Sequence, residues 1–253
     1  MNEEEKNNSE NTELVETEQN DSYVPAEQES ADESFKNDSF YKIAKGKGIF
    51  NLPNKLTISR MVMIPVFILF FYLDFVGHFF VALAVFIVAS LTDLLDGKIA
   101  RKYHLVTNLG KFLDPIADKV LVSTAFILML PASWIFSIFT DSWMVIVGAC
   151  GVAIILAREI IISGFRMVAA DAGIVIAADI FGKYKTVFQD ASIIVLLISA
   201  GVIEICISSG SSALLDFARA VNYIGLILFA AAVILTIISG VNYIVKNIGI
   251  LKK

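Results

Sequence analysis

Four aspartates between residues 93 and 118 are the strongest chemical signal in this sequence. Asp93 and Asp96 are three positions apart, and Asp114 and Asp118 are four apart, so each pair would share one face of a helix. Oxygen ligands without His or Cys favour Mg²⁺ or Mn²⁺ over zinc. Four carboxylates suit two ions with shared ligands, and two ions can clamp a phosphate during a displacement. The spacing therefore predicts a metal site that acts on a phosphate ester.

Small residues and one arginine accompany the aspartates. Gly97, Ala100 and Gly110 are small where a substrate would need to approach closely, and Arg101 can hold a pyrophosphate oxygen. In the alternative interpretation, the aspartates cap helices or pair with the neighbouring bases Lys98, Arg101, Lys111 and Lys119. That alternative would be the better explanation for any single Asp at a helix end. Four Asp at these spacings, beside two Gly and an Arg, favour the metal site.

The order of these residues resembles the signature of the CDP-alcohol phosphatidyltransferase family. The family pattern is D-x2-D-G-x2-A-R-x8-G-x3-D-x3-D. This chain matches every fixed position and every spacing, with D-L-L-D-G-K-I-A-R, eight residues, and G-K-F-L-D-P-I-A-D. The resemblance extends over roughly residues 50–250. It implies that an acceptor hydroxyl attacks the phosphate attached to the diacylglycerol of CDP-diacylglycerol and that CMP leaves.

The resemblance also implies roles for individual positions. Asp93, Asp96 and Asp114 would be metal ligands, and Asp118 would be both a ligand and the general base. Asp118 lies deepest in its predicted span, which suits a carboxylate that must take the proton of a poorly nucleophilic hydroxyl. The implied contacts with the CDP-lipid are Gly97, Ala100, Arg101, Gly110 and, in the loop, Thr107. The family further implies a homodimer.

Three further stretches resemble the bacterial phosphatidylglycerophosphate synthases within this family. They are N-L-P-N-K-L-T-I-S-R at 51–60, A-R-E-I-I-I-S-G-F-R at 157–166 and G-K-Y-K-T at 182–186. This likeness implies that Asn54 and Thr57 border the nucleotide pocket. It also implies that the acceptor is glycerol 3-phosphate.

Four bases support a phosphorylated acceptor, because an anionic group needs such partners and a neutral alcohol does not. We expect them to gather near the aspartates; they are Arg158, Arg166, Lys183 and Lys185. In the alternative, they contact lipid headgroups. Inositol phosphate, serine and phosphatidylglycerol stay open as acceptors. A divalent-cation transporter is an alternative from another class, although it would hold its acids near the bilayer midplane.

Long apolar runs must position these residues. The chain has 253 residues, of which 57% are hydrophobic, and its mean hydropathy of +0.72 is too high for an ordinary soluble domain. We predict an all-α, polytopic membrane protein with six spans, at 57–74, 79–100, 110–131, 142–163, 186–208 and 217–245. Lys and Arg concentrate before span one, in the even loops and after span six. This pattern predicts that both termini and the active site lie on the cytoplasmic side of the cell membrane.

The N-terminal 40 residues differ from the membrane domain at 41–253. They hold 13 of the 25 acidic residues, which predicts a disordered acidic tail. The rest of the chain is basic, as suits contact with anionic lipid or phosphate, and we expect no nucleic-acid partner. Pro53 and Asn54 are expected to break the chain before span one. A short amphipathic helix on the membrane surface is predicted from the spacing of Lys42, Lys45, Lys47 and Lys55 among apolar residues.

Overall fold

The protein is a bundle of α-helices in a computed structural model that describes residues 51–103, 108–136, 139–140, 143–171 and 180–247. The helices are α1 (Leu52–Tyr72), α2 (His78–Lys102), α3 (Asn108–Met129), α4 (Ser133–Phe136), α5 (Trp143–Asp171), α6 (Ile180–Ser209) and α7 (Ser212–Asn247). No strand occurs within these ranges, which confirms the predicted all-α class. The acidic tail and most of the predicted amphipathic helix lie outside the described residues.

Four of the helices are long and apolar enough to cross a membrane, so the chain is a multi-pass membrane protein. These stretches are Asn54–Tyr72, Trp143–Met167, Gly182–Ser209 and Ser212–Asn247. α2 and α3 also contain apolar stretches, residues 79–92 and 120–129, in which no charged residue occurs. Asp93 directly follows the first of these stretches, and Asp118 lies two residues before the second. The aspartate motif therefore occupies the remaining turns of both helices.

The start of α1 differs from the prediction. The helix begins at Leu52, and Asn51 caps it by accepting a hydrogen bond from the Asn54 backbone N–H at 3.2 Å. Pro53 lies in the first turn, where its missing N–H would have had no helical partner and its fixed φ favours a helix. The expectation that Pro53 and Asn54 break the chain is therefore wrong, because both residues belong to the start of the helix.

The long helices alternate in direction, so the bundle has two distinct ends. At one end, which we call the motif end, Arg60 near the start of α1 pairs with Asp93 in the second half of α2. At the opposite end, His78 at the start of α2 lies 3.8 Å from Glu204 near the end of α6. The motif end therefore holds the starts of α1, α3 and α6 and the last turns of α2, α5 and α7.

The fifth and sixth helices extend beyond the predicted spans at the motif end. Span four was predicted to end at residue 163 and span five to begin at 186, whereas α5 ends at Asp171 and α6 begins at Ile180. Each helix is about 45 Å long at 1.5 Å per residue, which exceeds the roughly 30 Å of a hydrocarbon core. Arg166, Lys183 and Lys185 consequently lie in helices, whose backbone fixes their positions.

The core between the helices is apolar and contains glycines at close crossings. Phe67, Phe86 and Phe126 are fully buried in it. At Gly225 in α7, an added Cβ would lie 2.7 Å from Cδ2 of Leu196 and 3.4 Å from its backbone nitrogen. The absence of a side chain there lets α7 approach α6 closely, as small residues do in membrane bundles.

Replacing Gly225 with Leu should lower the unfolding temperature of the detergent-solubilised protein, because the new side chain would force α6 and α7 apart. Overpacking of this kind costs about 1–3 kcal/mol. Gly164→Leu is the matched control, since no atom lies within 4 Å of the position of its added Cβ. Equal unfolding temperatures for the two variants would contradict the close α6–α7 crossing.

Candidate active site

The four motif aspartates lie toward the motif end of two helices that contact each other. Asp93 and Asp96 belong to α2, and Asp114 and Asp118 belong to α3. Since residues three or four apart in a helix are neighbours on its surface, each pair shares a face. The described carboxylate of Asp93 is 36% exposed, so it remains accessible from the motif end.

The other residues of the motif follow the same two helices. Gly97, Ala100 and Arg101 lie in the last turns of α2, and Gly110 lies in the first turn of α3. Thr107 is outside the described residues. The small residues and the arginine therefore lie within two helical turns of the aspartate pair on the same helix.

Asp93 forms an ion pair that sequence reasoning did not assign to the site. Nη1 of Arg60 lies 2.6 Å from Oδ1 of Asp93, and the Arg60 side chain is fully buried. A buried guanidinium requires a carboxylate partner, so this pair fixes one side of Asp93. The predicted nucleotide-pocket residues Asn54 and Thr57 are also buried in α1. Asn54, Thr57 and Arg60 are polar residues three positions apart in an apolar helix. This spacing is the signal that would have identified Arg60 as a candidate site residue.

The four predicted acceptor-binding bases line one cavity at the motif end. The cavity has a volume of about 240 Å³ and is bounded by α3, α5, α6 and α7. Lys119 of α3 adds a fifth base to its wall and directly follows Asp118. We call these residues the cation cluster: Lys119, Arg158, Arg166, Lys183 and Lys185.

A single glutamate connects three members of the cation cluster. The ammonium group of Lys185 donates a hydrogen bond to Oε1 of Glu159, and only 3% of the Lys185 side chain is exposed. Oε2 of Glu159 lies 3.9 Å from both Nζ of Lys119 and Nη1 of Arg158. Because a buried ammonium group needs an opposite charge nearby, Glu159 helps to hold the cluster at the junction of α3, α5 and α6.

Hydroxyl groups orient three members of the cation cluster. The ammonium group of Lys119 donates to the Ser163 hydroxyl, and Nη2 of Arg158 donates to Oγ of Ser239 at 2.7 Å. Nε of Arg166 donates to the hydroxyl of Tyr243 at 3.4 Å, with the guanidinium 5.6 Å from the centre of the Tyr243 ring. These hydroxyls belong to α5 and α7, so the cations are held by residues far apart in sequence.

The chemistry of the two regions is complementary. The aspartates of α2 and α3 offer only carboxylate oxygens, the ligand type that Mg²⁺ and Mn²⁺ prefer. The cavity has five bases and one acid among its described lining residues, so it attracts an anion. Lys119 lies on the cavity wall one residue after Asp118, so the anion-attracting cavity borders the helix that carries Asp114 and Asp118.

The sequence model of the family described as CDP-alcohol phosphatidyltransferase matches residues 50–238. Three relatives carry the name CDP-diacylglycerol–glycerol-3-phosphate 3-phosphatidyltransferase. The protein of Bacillus subtilis strain 168 is 38% identical over 81% of this chain and 98% of its own length. The Rickettsia bellii protein is 37% identical over 76% of this chain and 93% of its own. The Shigella flexneri serotype 5b protein is 36% identical over 77% of this chain and 93% of its own.

A double-mutant cycle on Arg60 and Asp93 should show that the two residues interact. Arg60→Met and Asp93→Asn should each lower the unfolding temperature, and the double variant should lose less than the sum, because each single change leaves one charge without this partner. We expect a coupling energy of about 1 kcal/mol or more. Strict additivity in thermal unfolding would contradict the ion pair.

Proposed function

Since the chain belongs to the CDP-alcohol phosphatidyltransferase family, we propose that it transfers the phosphatidyl group of CDP-diacylglycerol to glycerol 3-phosphate. The products are phosphatidylglycerophosphate and CMP. The observation that carries this choice of acceptor is the cation cluster in one cavity beside the helix of Asp118. The names of the three relatives support the same acceptor.

The acceptor phosphate binds in the cation cluster. Arg158 and Arg166 offer guanidinium groups that match phosphate oxygens in pairs, and Lys183 and Lys185 add ammonium groups on the facing helix. A neutral alcohol would leave these charges without a ligand. The volume of the cavity, about 240 Å³, suits a small phosphorylated alcohol rather than a second lipid.

The CDP-lipid binds along α1, α2 and the start of α3. Asn54 and Thr57 border the nucleotide, and the other contacts are Gly97, Ala100, Arg101, Thr107 and Gly110. Asp93, Asp96, Asp114 and Asp118 hold two divalent cations, Mg²⁺ or Mn²⁺. When bound, these ions neutralise the pyrophosphate and the charge that develops on the transferring phosphate.

Asp118 acts as the general base. Its carboxylate takes the proton of the acceptor hydroxyl, whose oxygen forms a bond to the phosphorus attached to diacylglycerol. The bond from that phosphorus to the CMP oxygen breaks, and CMP leaves with the electron pair. The position of Asp118, one residue before Lys119, supports this role because the base then lies on a helix that lines the acceptor cavity.

All six long helices cross the membrane, with both termini and the motif end on the cytoplasmic side. α2 and α3 are about 37 and 33 Å long, which is enough to cross the hydrocarbon core. The bases at the motif end satisfy the preference of Lys and Arg for the cytoplasmic face. This placement lets a soluble alcohol phosphate meet a bilayer lipid. We also propose that an amphipathic helix lies on the membrane surface before α1 and that the protein forms a homodimer.

A transporter is the weaker alternative. It requires acids near the midplane of a continuous apolar span, whereas Asp93 and Asp96 lie in the second half of α2, close to Lys98 and Lys102 near its end. Acceptors other than glycerol 3-phosphate compete more closely, since they use the same motif. The deciding experiment is CMP release by the purified enzyme with Mg²⁺, CDP-diacylglycerol and a panel of acceptors. Release with serine or inositol phosphate, and none with glycerol 3-phosphate, would refute the proposed acceptor.

Asp118→Asn should leave a folded, membrane-inserted protein whose CMP release is reduced by several orders of magnitude, because the amide cannot take the proton of the acceptor. Turnover with saturating acceptor, measured beside the unfolding temperature, checks this expectation. Near-normal turnover would remove Asp118 from the role of base.

Arg158→Ala should raise the KM for glycerol 3-phosphate more than the KM for CDP-diacylglycerol, because the phosphate loses a guanidinium partner. Loss of a charged hydrogen bond predicts an increase of roughly 10-fold or more. Arg219→Ala is the matched control: Arg219 is a half-exposed arginine in α7 at the opposite end, paired with Asp216 at 3.5 Å. A larger change in the KM for CDP-diacylglycerol than in the KM for glycerol 3-phosphate would place Arg158 in the CDP-lipid subsite.

A further inference from the structure

Glu159 is the one carboxylate among the described residues that line the cavity. It lies among five bases, and 18% of its side chain is exposed. A carboxylate in a phosphate-binding cavity repels the ligand, because both carry negative charge. Glu159 must therefore make favourable interactions in this cavity that offset the repulsion.

One contribution is structural, since Oε1 of Glu159 accepts the hydrogen bond from the buried ammonium group of Lys185. The second oxygen is placed differently. Oε2 lies 3.9 Å from Nζ of Lys119 and 3.9 Å from Nη1 of Arg158, which is beyond hydrogen-bond range. Each carboxylate oxygen can accept about two hydrogen bonds, so Oε2 retains capacity to accept from a ligand.

The surroundings of Oε2 determine which ligand group suits it. A phosphate held by Lys119 and Arg158 would lie a few ångströms from Oε2, because both cations flank that oxygen. A second anionic group at this place would be repelled, whereas a hydroxyl would donate a charge-assisted hydrogen bond. A hydroxyl on the carbon next to the phosphate-bearing carbon has the appropriate separation.

We propose that Glu159 is a specificity-determining residue that recognises a polyol monophosphate. Its Oε2 accepts a hydrogen bond from the non-reacting hydroxyl of the acceptor, while the cation cluster holds the phosphate. The reacting hydroxyl then faces Asp118. This assignment rests on the proposed function and adds the part of the acceptor that the cations do not recognise.

The test compares two acceptors in wild type and in Glu159→Ala. One is glycerol 3-phosphate, and the other is 3-hydroxypropyl phosphate, which keeps the phosphate and the primary hydroxyl but lacks the secondary hydroxyl. Wild type should prefer glycerol 3-phosphate in kcat/KM by roughly 10- to 100-fold, as a hydrogen bond to a charged group predicts. In Glu159→Ala this preference should fall close to one.

If Glu159→Ala lowers kcat/KM equally with both acceptors, the wild-type ratio stays intact. That result would overturn the assignment and leave Glu159 only as a partner of Lys185. A wild-type enzyme without the preference would overturn it as well. Wild-type protein that releases CMP with neither acceptor would instead refute the proposed function, and the assignment with it. The three outcomes are distinguishable in one assay of CMP release.

Two further variants keep the result interpretable. Glu159→Gln retains the side-chain length and an amide oxygen, so it serves if Glu159→Ala does not fold. It should keep only the few-fold preference of a neutral hydrogen bond. Glu204→Gln is the matched control, because Glu204 is also a largely buried glutamate, paired with His78 at the opposite end of the bundle. Its acceptor ratio should equal that of wild type.

Discussion

The contact between Glu159 and Lys185 holds together the end of the bundle on which the site depends. Lys185 is almost fully buried among other bases, so its charge must be balanced by a nearby acid. The same glutamate lies within 4 Å of Lys119 and Arg158, and it thereby connects α3, α5 and α6. Without it, five like charges would face one another in one cavity, and their repulsion would spread the helices that carry them.

The bilayer imposes a second constraint, which explains the shape of α2 and α3. Charged groups are costly at membrane depth, and the motif aspartates accordingly lie toward the end of α2 and the start of α3, beside the bases Lys98, Lys102 and Lys111. Arg60 reduces this cost for Asp93 from the neighbouring α1. α5 and α6 are longer than the bilayer core is thick, which lets them present their bases at the motif end. In the proposed function, a bilayer lipid and a water-soluble substrate meet at this end of the bundle.

Local patterns predicted much of this arrangement. Helical class follows from long apolar runs, and the aspartate pairs follow from spacings of three and four. Contacts between distant helices were not predictable in the same way. Arg60 with Asp93 and Lys119 with Ser163 depend on how helices pack, which no local spacing encodes. Pro53 was misinterpreted because proline both breaks helices and starts them, and the choice depended on the cap from Asn51.

The central claim is that the acceptor phosphate and the motif aspartates meet at the motif end. The most direct measurement is an experimental structure of the purified protein with glycerol 3-phosphate bound. The account predicts density for the phosphate within about 3 Å of the Arg158 and Lys185 nitrogens, with the glycerol hydroxyls toward Glu159 and Asp118. A phosphate bound outside the cation cluster, with that cavity filled by lipid, would contradict it.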